Sequence, residues 1–432
     1  MPLIPRFLRA RILRTRLLEP LQERDFALLT AGSLVSLLGD GFFVVALAWQ
    51  VYEISNVPTA LSLVGVAWTL PLILFVLLGG VFSDRYDRRW MMIGADCVRA
   101  AAIGMLGVLS ISGLIEIWHV VALISFVGLG DAFFNPASTA IVPDLLREEQ
   151  LPQANAFQAL VRPLMFRLAG PAIGGFVIAG VGPGIAFLVD GSSFVVSATA
   201  IAFITTRPTR QVVAHGPRQT IAEVGDGLAF VRRNPWCWAT LLSAMFSLLV
   251  FAGPVQVLLP FLVKNELGLG PDALGAIFAV GGVGSIAAAL AVGQLGLPRR
   301  RITVMYAVWA GGVALFAGYG VMNSLWQAFV IGFATAALFE VGQIIWITLL
   351  QTLVPREMLG RVSSLDWLVS IGLVPVSFAL TGPVAALLGP GPTMIAAGLI
   401  GSLLMGVLLF VPGVRDPERG QIPLAELAGK VP

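Results

Sequence analysis

Five ionisable or amide side chains interrupt otherwise apolar stretches of this 432-residue chain: Asp40 in SLLGDGFF, Asp131 in FVGLGDAFF, Arg167 in PLMFRLAG, and Glu340 with Gln343 in ALFEVGQIIW. Desolvation disfavours the charged form of a carboxylate, so an acid in apolar surroundings is suited to taking up and releasing a proton. Gly39 and Gly41 flank Asp40 and allow a second backbone or a ligand to come close. Glu340 and Gln343 are one helical turn apart and share a face. A single ionisable group inside a membrane costs about 2.5–3.5 kcal/mol on insertion scales, so each one asks for a reason. The alternatives to proton exchange are ion pairs or interhelical hydrogen bonds, with Arg162 or Arg167 as partners for Asp131. Arg162 and Arg167, five apart on a regular helix, point about 140° apart and should not share a role. Asp96 and Arg99 read as a local ion pair three residues apart near one end of a helix, and Asp190 and Asp366 read as structural.

The elements that must position these groups are membrane helices. Hydrophobic residues make up 57% of the chain and charged residues only 12%, and the mean hydropathy is +0.89. Spanning a bilayer core takes roughly 20 apolar residues per helix, and the apolar runs here are that long, without the alternation of a barrel strand. Twelve spans are expected: 26–52, 59–82, 89–112, 117–142, 153–179, 184–205, 237–262, 271–296, 302–322, 325–353, 362–387 and 391–412. All the Lys and Arg residues except Arg99, Arg162, Arg167 and Lys264 then fall in the termini and even-numbered loops, counting Arg89 at the edge of the third span with its loop. That bias places both termini in the cytoplasm and explains the net charge of +3 without a nucleic-acid partner. The expected organisation is a basic cytosolic segment 1–25, a six-helix bundle 26–205, a cytoplasmic linker 206–236 with a short helix near Thr220–Arg232, a second bundle 237–412 and a cytosolic tail 413–432.

The two halves carry an internal repeat of the kind that builds secondary transporters. Val142-Pro143 and Val354-Pro355 are 212 residues apart, as are Gly170-Pro171 and Gly382-Pro383; the GPG at 182–184 matches that at 389–391 with an offset of 207. Enzyme signatures are absent: the chain has no GxSxG, no Gly-rich phosphate loop with Lys and no Walker pair. Two cysteines without a CxxC pattern, and two histidines, support neither a metal site nor a disulfide framework, and no cofactor is implied.

GVFSDRYDRR at 80–89, between spans 2 and 3, resembles the Gly-x-x-x-Asp-Arg-x-Gly-x-Arg/Lys loop of the major facilitator superfamily, with Gly80, Asp84, Arg85, Arg88 and Arg89 in the motif positions and Asp87 where the family usually has Gly. Gly170, Pro171, Gly174 and Gly175 resemble the GPxxGG core of the superfamily's antiporter motif. The stretches 133–156 and 354–368 are similar to segments of the branch holding macrolide efflux proteins and the enterobactin exporter. The resemblance implies an all-α membrane fold of two six-helix bundles, with spans 1, 4, 7 and 10 lining a central path. It also implies a contact of Asp84 with the start of span 11 near Gly360–Ser364, a latch that must break for the inward-open state. Many of the superfamily's drug exporters carry an Arg on span 4; this chain has Asp131, so proton coupling is implied by the family and not by that motif.

The expected function is therefore export of lipophilic or amphipathic small molecules by proton antiport and alternating access, in a monomer of the inner membrane. Asp40, Asp131, Glu340, Gln343 and Arg167 are the candidate coupling or cavity residues. A siderophore, lysophospholipid or metabolite carrier of the same fold is the alternative within transport, and a non-transporting membrane sensor the alternative outside it.

Overall fold

The structure is a computed structural model and describes residues 16–205 and 217–419. The expected basic segment before residue 16, the first part of the linker and the end of the tail lie outside the described residues. Among the described residues twelve helices are long and apolar enough to cross a membrane: Arg24–Ile54, Pro58–Ser83, Arg88–Ile111, Ile117–Leu145, Gln153–Val181, Pro183–Ala202, Pro235–Asn265, Pro271–Leu295, Arg301–Gly320, Leu325–Leu353, Met358–Leu388 and Pro390–Phe410, numbered here spans 1 to 12. Among the described residues there is no strand. Five of the spans open on a proline, at the position where its missing N–H has no helical partner to lose.

The chain forms two compact units. Among the described residues, unit 1 holds 16–54, 67–205 and 274–279, and unit 2 holds 55–66, 217–273 and 280–419. The repeat legible in the sequence is also a repeat of packing. In unit 1, span 1 packs on spans 5 and 6, and span 3 on spans 4 and 6. In unit 2, span 7 packs on spans 11 and 12, and span 9 on spans 10 and 12.

The pairings depend on small residues at helix crossings. A Cβ on Gly41 would lie 2.7 Å from Gly170 Cα, and one on Gly174 would lie 2.8 Å from Phe42 Cα, so the glycines of the GPxxGG stretch are what lets span 5 lie against span 1. In unit 2 the equivalent crossing is tied by a hydroxyl: the Gly253 N–H donates to Ser377 Oγ at 2.8 Å. The linker contributes the helix Pro217–Arg233, longer at its start than the sequence suggests. Phe230 and Val231 on it are buried in an aromatic-rich core of unit 2 that includes Trp236, Tyr306, Trp309 and Trp346.

Span 5 is irregular. Its middle, Pro163–Ala169, is a π-helix in which the Gly170 N–H reaches back to the Met165 carbonyl. Span 11 is also interrupted, with one helix ending at Gly372 and the next starting at Val374 ahead of Pro375.

Candidate functional site

A cavity of about 520 Å³ lies within unit 1. Asp40 from span 1, Arg99 from span 3, Asp131 and Asn135 from span 4, and Gln158 and Arg162 from span 5 supply its polar wall. Leu37, Phe43, Trp68, Phe134 and Phe166 supply much of the apolar wall. Phe43 and Trp68 meet edge to face, with ring centroids 5.6 Å apart. Such a lining offers a bulky apolar molecule both contact area and a few fixed polar groups.

Arg99 is the hub of the polar wall. Its guanidinium donates to Asp131 Oδ1 at 3.0 Å and pairs with Asp96 on its own helix. The same group lies 4.2 Å from the Phe134 ring centroid and 4.3 Å from that of Phe194, over the face of each ring. Asp131 is held from the other side by the Trp68 indole N–H, which donates to Oδ2 at 3.0 Å. With Arg99 only 5% exposed, this is a desolvated triad of one cation and two anions. Asp40 faces the same cavity without belonging to the triad.

The i,i+3 pair of Asp96 and Arg99 is present as the spacing predicts, but not near a helix end. Span 3 begins at Arg88, which puts Arg99 about 17 Å along it at 1.5 Å per residue. The partner of Asp131 is Arg99 rather than Arg162 or Arg167; a contact between neighbouring helices carries no signal in local spacing. Arg162 lines the cavity and Arg167 does not. The π-helical turn between them changes the helix phase, so the angle expected of a regular helix does not apply.

Asp190 is the second residue whose place the sequence does not reveal. It is fully buried on span 6, and a methyl group at Gly39 would collide with its carboxylate. The available signal was the pair of glycines around Asp40, which announces a close approach without naming the partner.

Glu340 and Gln343 belong to unit 2 and do not line this cavity. Glu340 is half-buried and Gln343 exposed. Asp366 of unit 2, half-buried like Glu340, accepts from the Trp346 indole N–H at 3.2 Å and from Ser370 Oγ at 3.4 Å.

The charged loop 84–89 is anchored within unit 1. Asp87, the departure from the family pattern, caps span 3 by accepting the Arg89 N–H at 2.9 Å. Arg88 donates to the Ala140 carbonyl at 3.0 Å and pairs with Asp144, and Arg89 donates to the Ala202 carbonyl at 3.0 Å. Arg85 is exposed, and a Cβ on Gly80 would meet nothing within 4 Å. The side chain of Asp84, and with it the expected latch, lies outside the described residues.

Known proteins agree with this architecture. The chain is 27% identical to the multidrug efflux pump Tap of Mycolicibacterium fortuitum over 92% of its length and 97% of the relative's. It is 24% identical to macrolide efflux protein A of Streptococcus pyogenes over 90% and 96% of the two chains, and 27% identical to the enterobactin exporter EntS of Shigella boydii over 87% and 89%. Among solved structures, a bacterial homologue of the iron transporter ferroportin in its inward-facing state aligns with a TM-score of 0.66 at 16% identity, covering 90% of this chain and 99% of that one. A bacterial homologue of the human lysosomal transporter Spinster aligns with a TM-score of 0.65 at 14% identity, covering 91% and 95%; at such identities both speak for the fold alone. The family model described as transmembrane secretion effector matches residues 15–426, and the chain, a multi-pass membrane transporter of small molecules and not an enzyme, belongs to that family of the major facilitator superfamily.

Proposed function

We propose that this protein exports lipophilic or amphipathic small molecules from the cytoplasm in exchange for protons. The observation that carries the reading is the unit 1 cavity, in which aromatic and aliphatic walls enclose two carboxylates, Asp40 and Asp131. An apolar substrate gains contact area there, while an acid that alternates between charged and neutral forms links the cavity to a proton gradient. The relatives named for multidrug, macrolide and enterobactin efflux support an outward direction. The bias of Lys and Arg toward even-numbered loops supports an inner-membrane protein with both termini in the cytoplasm, acting as a monomer. Glu340 and Gln343 are proposed to serve substrate or proton from the second half of the path.

The test is expression in a bacterium lacking its own pumps, with cellular accumulation of a panel of antibiotics, dyes and siderophores read with and without a protonophore. Reduced accumulation of at least one compound, abolished by the protonophore and by Asp40→Asn, is the expected result. Export that survives both treatments would remove the carboxylate from the coupling mechanism. No effect on any compound would favour a metabolite carrier or a sensor.

A further inference from the structure

We infer that Asp190 on span 6 is a second proton-holding site behind Asp40, so that unit 1 stores exchangeable protons on a pair of carboxylates. The inference rests on the proton-coupled reading above and extends it to a residue outside the cavity wall.

Asp190 is 0% exposed. One of its oxygens, Oδ1, accepts a hydrogen bond from Ser193 Oγ at 3.3 Å, and the other, Oδ2, is buried with no hydrogen-bond partner. Spans 1, 3 and 5 pack against span 6, and the charged groups that act on Asp190 are Asp40 on span 1, Arg99 on span 3 and, further off, Asp131 on span 4, with Asp96 paired to Arg99 on span 3. Arg162, on the cavity wall, is exposed. Arg99 is already committed to Asp96 and Asp131. Full ionisation would leave four carboxylates facing one buried guanidinium, and an uncompensated buried charge is strongly unfavourable. The excess is removed by protons, and Asp190 and Asp40 are the two acids that Arg99 does not hold.

Position supports the same division of labour. Asp40 opens on the cavity, and Asp190 lies behind it across the notch left by Gly39, where a side chain would strike its carboxylate. A proton from the cavity first bonds to the Asp40 carboxylate. It then leaves Asp40 and bonds to the unpartnered Oδ2 of Asp190, and Asp40, again ionised, is ready for another. Repulsion between the two anions makes the pair titrate as one coupled unit. Substrate that binds against Asp40 from the cavity side would then expel protons from both acids.

The substrate-free test is an infrared titration of the full-length protein reconstituted in lipid, following the carbonyl band of protonated carboxyls between alkaline and acid buffer. The expected result is a buried-carboxyl component at the high-frequency edge of the band, distinct from that of the exposed acids among the 24 Asp and Glu residues, which is reduced in Asp190→Asn and also in Asp40→Asn, with the midpoint of the surviving acid displaced in each case. Ser193→Ala, which removes the one hydrogen bond to Asp190 without removing the acid, should displace the midpoint and leave the band size unchanged. It keeps the proposal testable if Asp190→Asn does not fold. A band in Asp190→Asn identical to the wild type, or a titration insensitive to Ser193→Ala, would show that Asp190 keeps one protonation state and overturn this inference while leaving Asp40 as the coupling acid. Absence of that buried-carboxyl component in the wild type would overturn the coupled reading itself.

Discussion

The two units pair their helices in the same pattern, yet one has a charged interior and the other an aromatic one. The offset of 212 that carries Val142-Pro143 onto Val354-Pro355 carries Asp131 onto Gln343. The offset of 213 that matches Arg88 to Arg301 carries Asp96 onto Trp309 and Arg99 onto Gly312, and the offset of 207 between the GPG turns carries Asp190 onto Ala397. Where unit 1 has the Arg99 triad, unit 2 has Trp309 and Trp346 with ring centroids 6.5 Å apart, and the Trp309 indole N–H ends on the Phe339 carbonyl at 3.4 Å. Helix pairing therefore follows the small residues and turns that both halves keep, whereas the charges were free to diverge. The difference is why proton handling is proposed for unit 1, while the matching positions of unit 2 hold aromatic, amide and small residues.

The largest effect should come from removing the hub. Arg99→Ala leaves Asp96, buried, and Asp131, partly buried, without their cation and is expected to cost about 3–5 kcal/mol, read as a lowered unfolding temperature in detergent and a reduced yield of folded protein. Asp131→Asn in the same chain should recover part of the loss, since it removes one of the stranded anions and keeps an acceptor for Trp68. If Arg99→Ala melts like the wild type, the triad is not holding unit 1 together.

The reciprocal change places a charge where unit 2 lacks one. Gln343→Asp introduces a carboxylate whose repeat-equivalent guanidinium position is Gly312, and an intramembrane acid of this kind costs about 2.5–3.5 kcal/mol. Lower membrane-inserted yield is expected, with Asp131→Gln much milder because Trp68 and Arg99 retain a partner at that position. Equal yields for the two variants would mean that the charge asymmetry between the units is incidental.

A third comparison concerns what the halves share. Gly170→Ala puts a methyl group 2.7 Å from Gly41 Cα and 2.8 Å from the Leu38 carbonyl, both backbone atoms that cannot swing away. Overpacking of this kind costs about 1–3 kcal/mol. Gly80→Ala, in the charged-loop motif, meets open space and should leave the unfolding temperature unchanged.

How much of this was legible in the sequence depends on the range of the interaction. Span limits are set by the length of apolar runs and by prolines such as Pro183 and Pro271 at helix starts, and the twelve expected ranges match the observed helices to within a few residues. The Asp96–Arg99 pair was legible because both residues lie on one face of one helix. Its extension to Asp131 was not, since it depends on how spans 3 and 4 align. The π-helical turn at 163–169 is bracketed by Pro163 and Pro171, each of which removes a backbone donor, but the sequence does not say that the chain responds by widening the helix. The capping by Asp87 could have been found from its type alone, since Asp just before a helix start is a preferred cap; the family pattern, which has Gly there, drew attention away from it.

The smallest expected effect tests whether an acid of unit 2 behaves like those of unit 1. Asp366 accepts from the Trp346 indole and from Ser370, and both bonds need only an oxygen acceptor. In Asp366→Asn the amide oxygen can still accept from Trp346, so the expected loss of stability is about 1 kcal/mol or less, with transport and its pH dependence unchanged. The same Asp-to-Asn exchange at position 40 removes a group whose proposed role is to alternate between charged and neutral forms, and no acceptor geometry can replace that. The informative quantities are thus the transport rates of the two variants relative to the wild type across pH. A fall shared by both variants would place proton handling in both units, rates unchanged in both would remove it from Asp40, and a collapse confined to Asp40→Asn would confine it to unit 1.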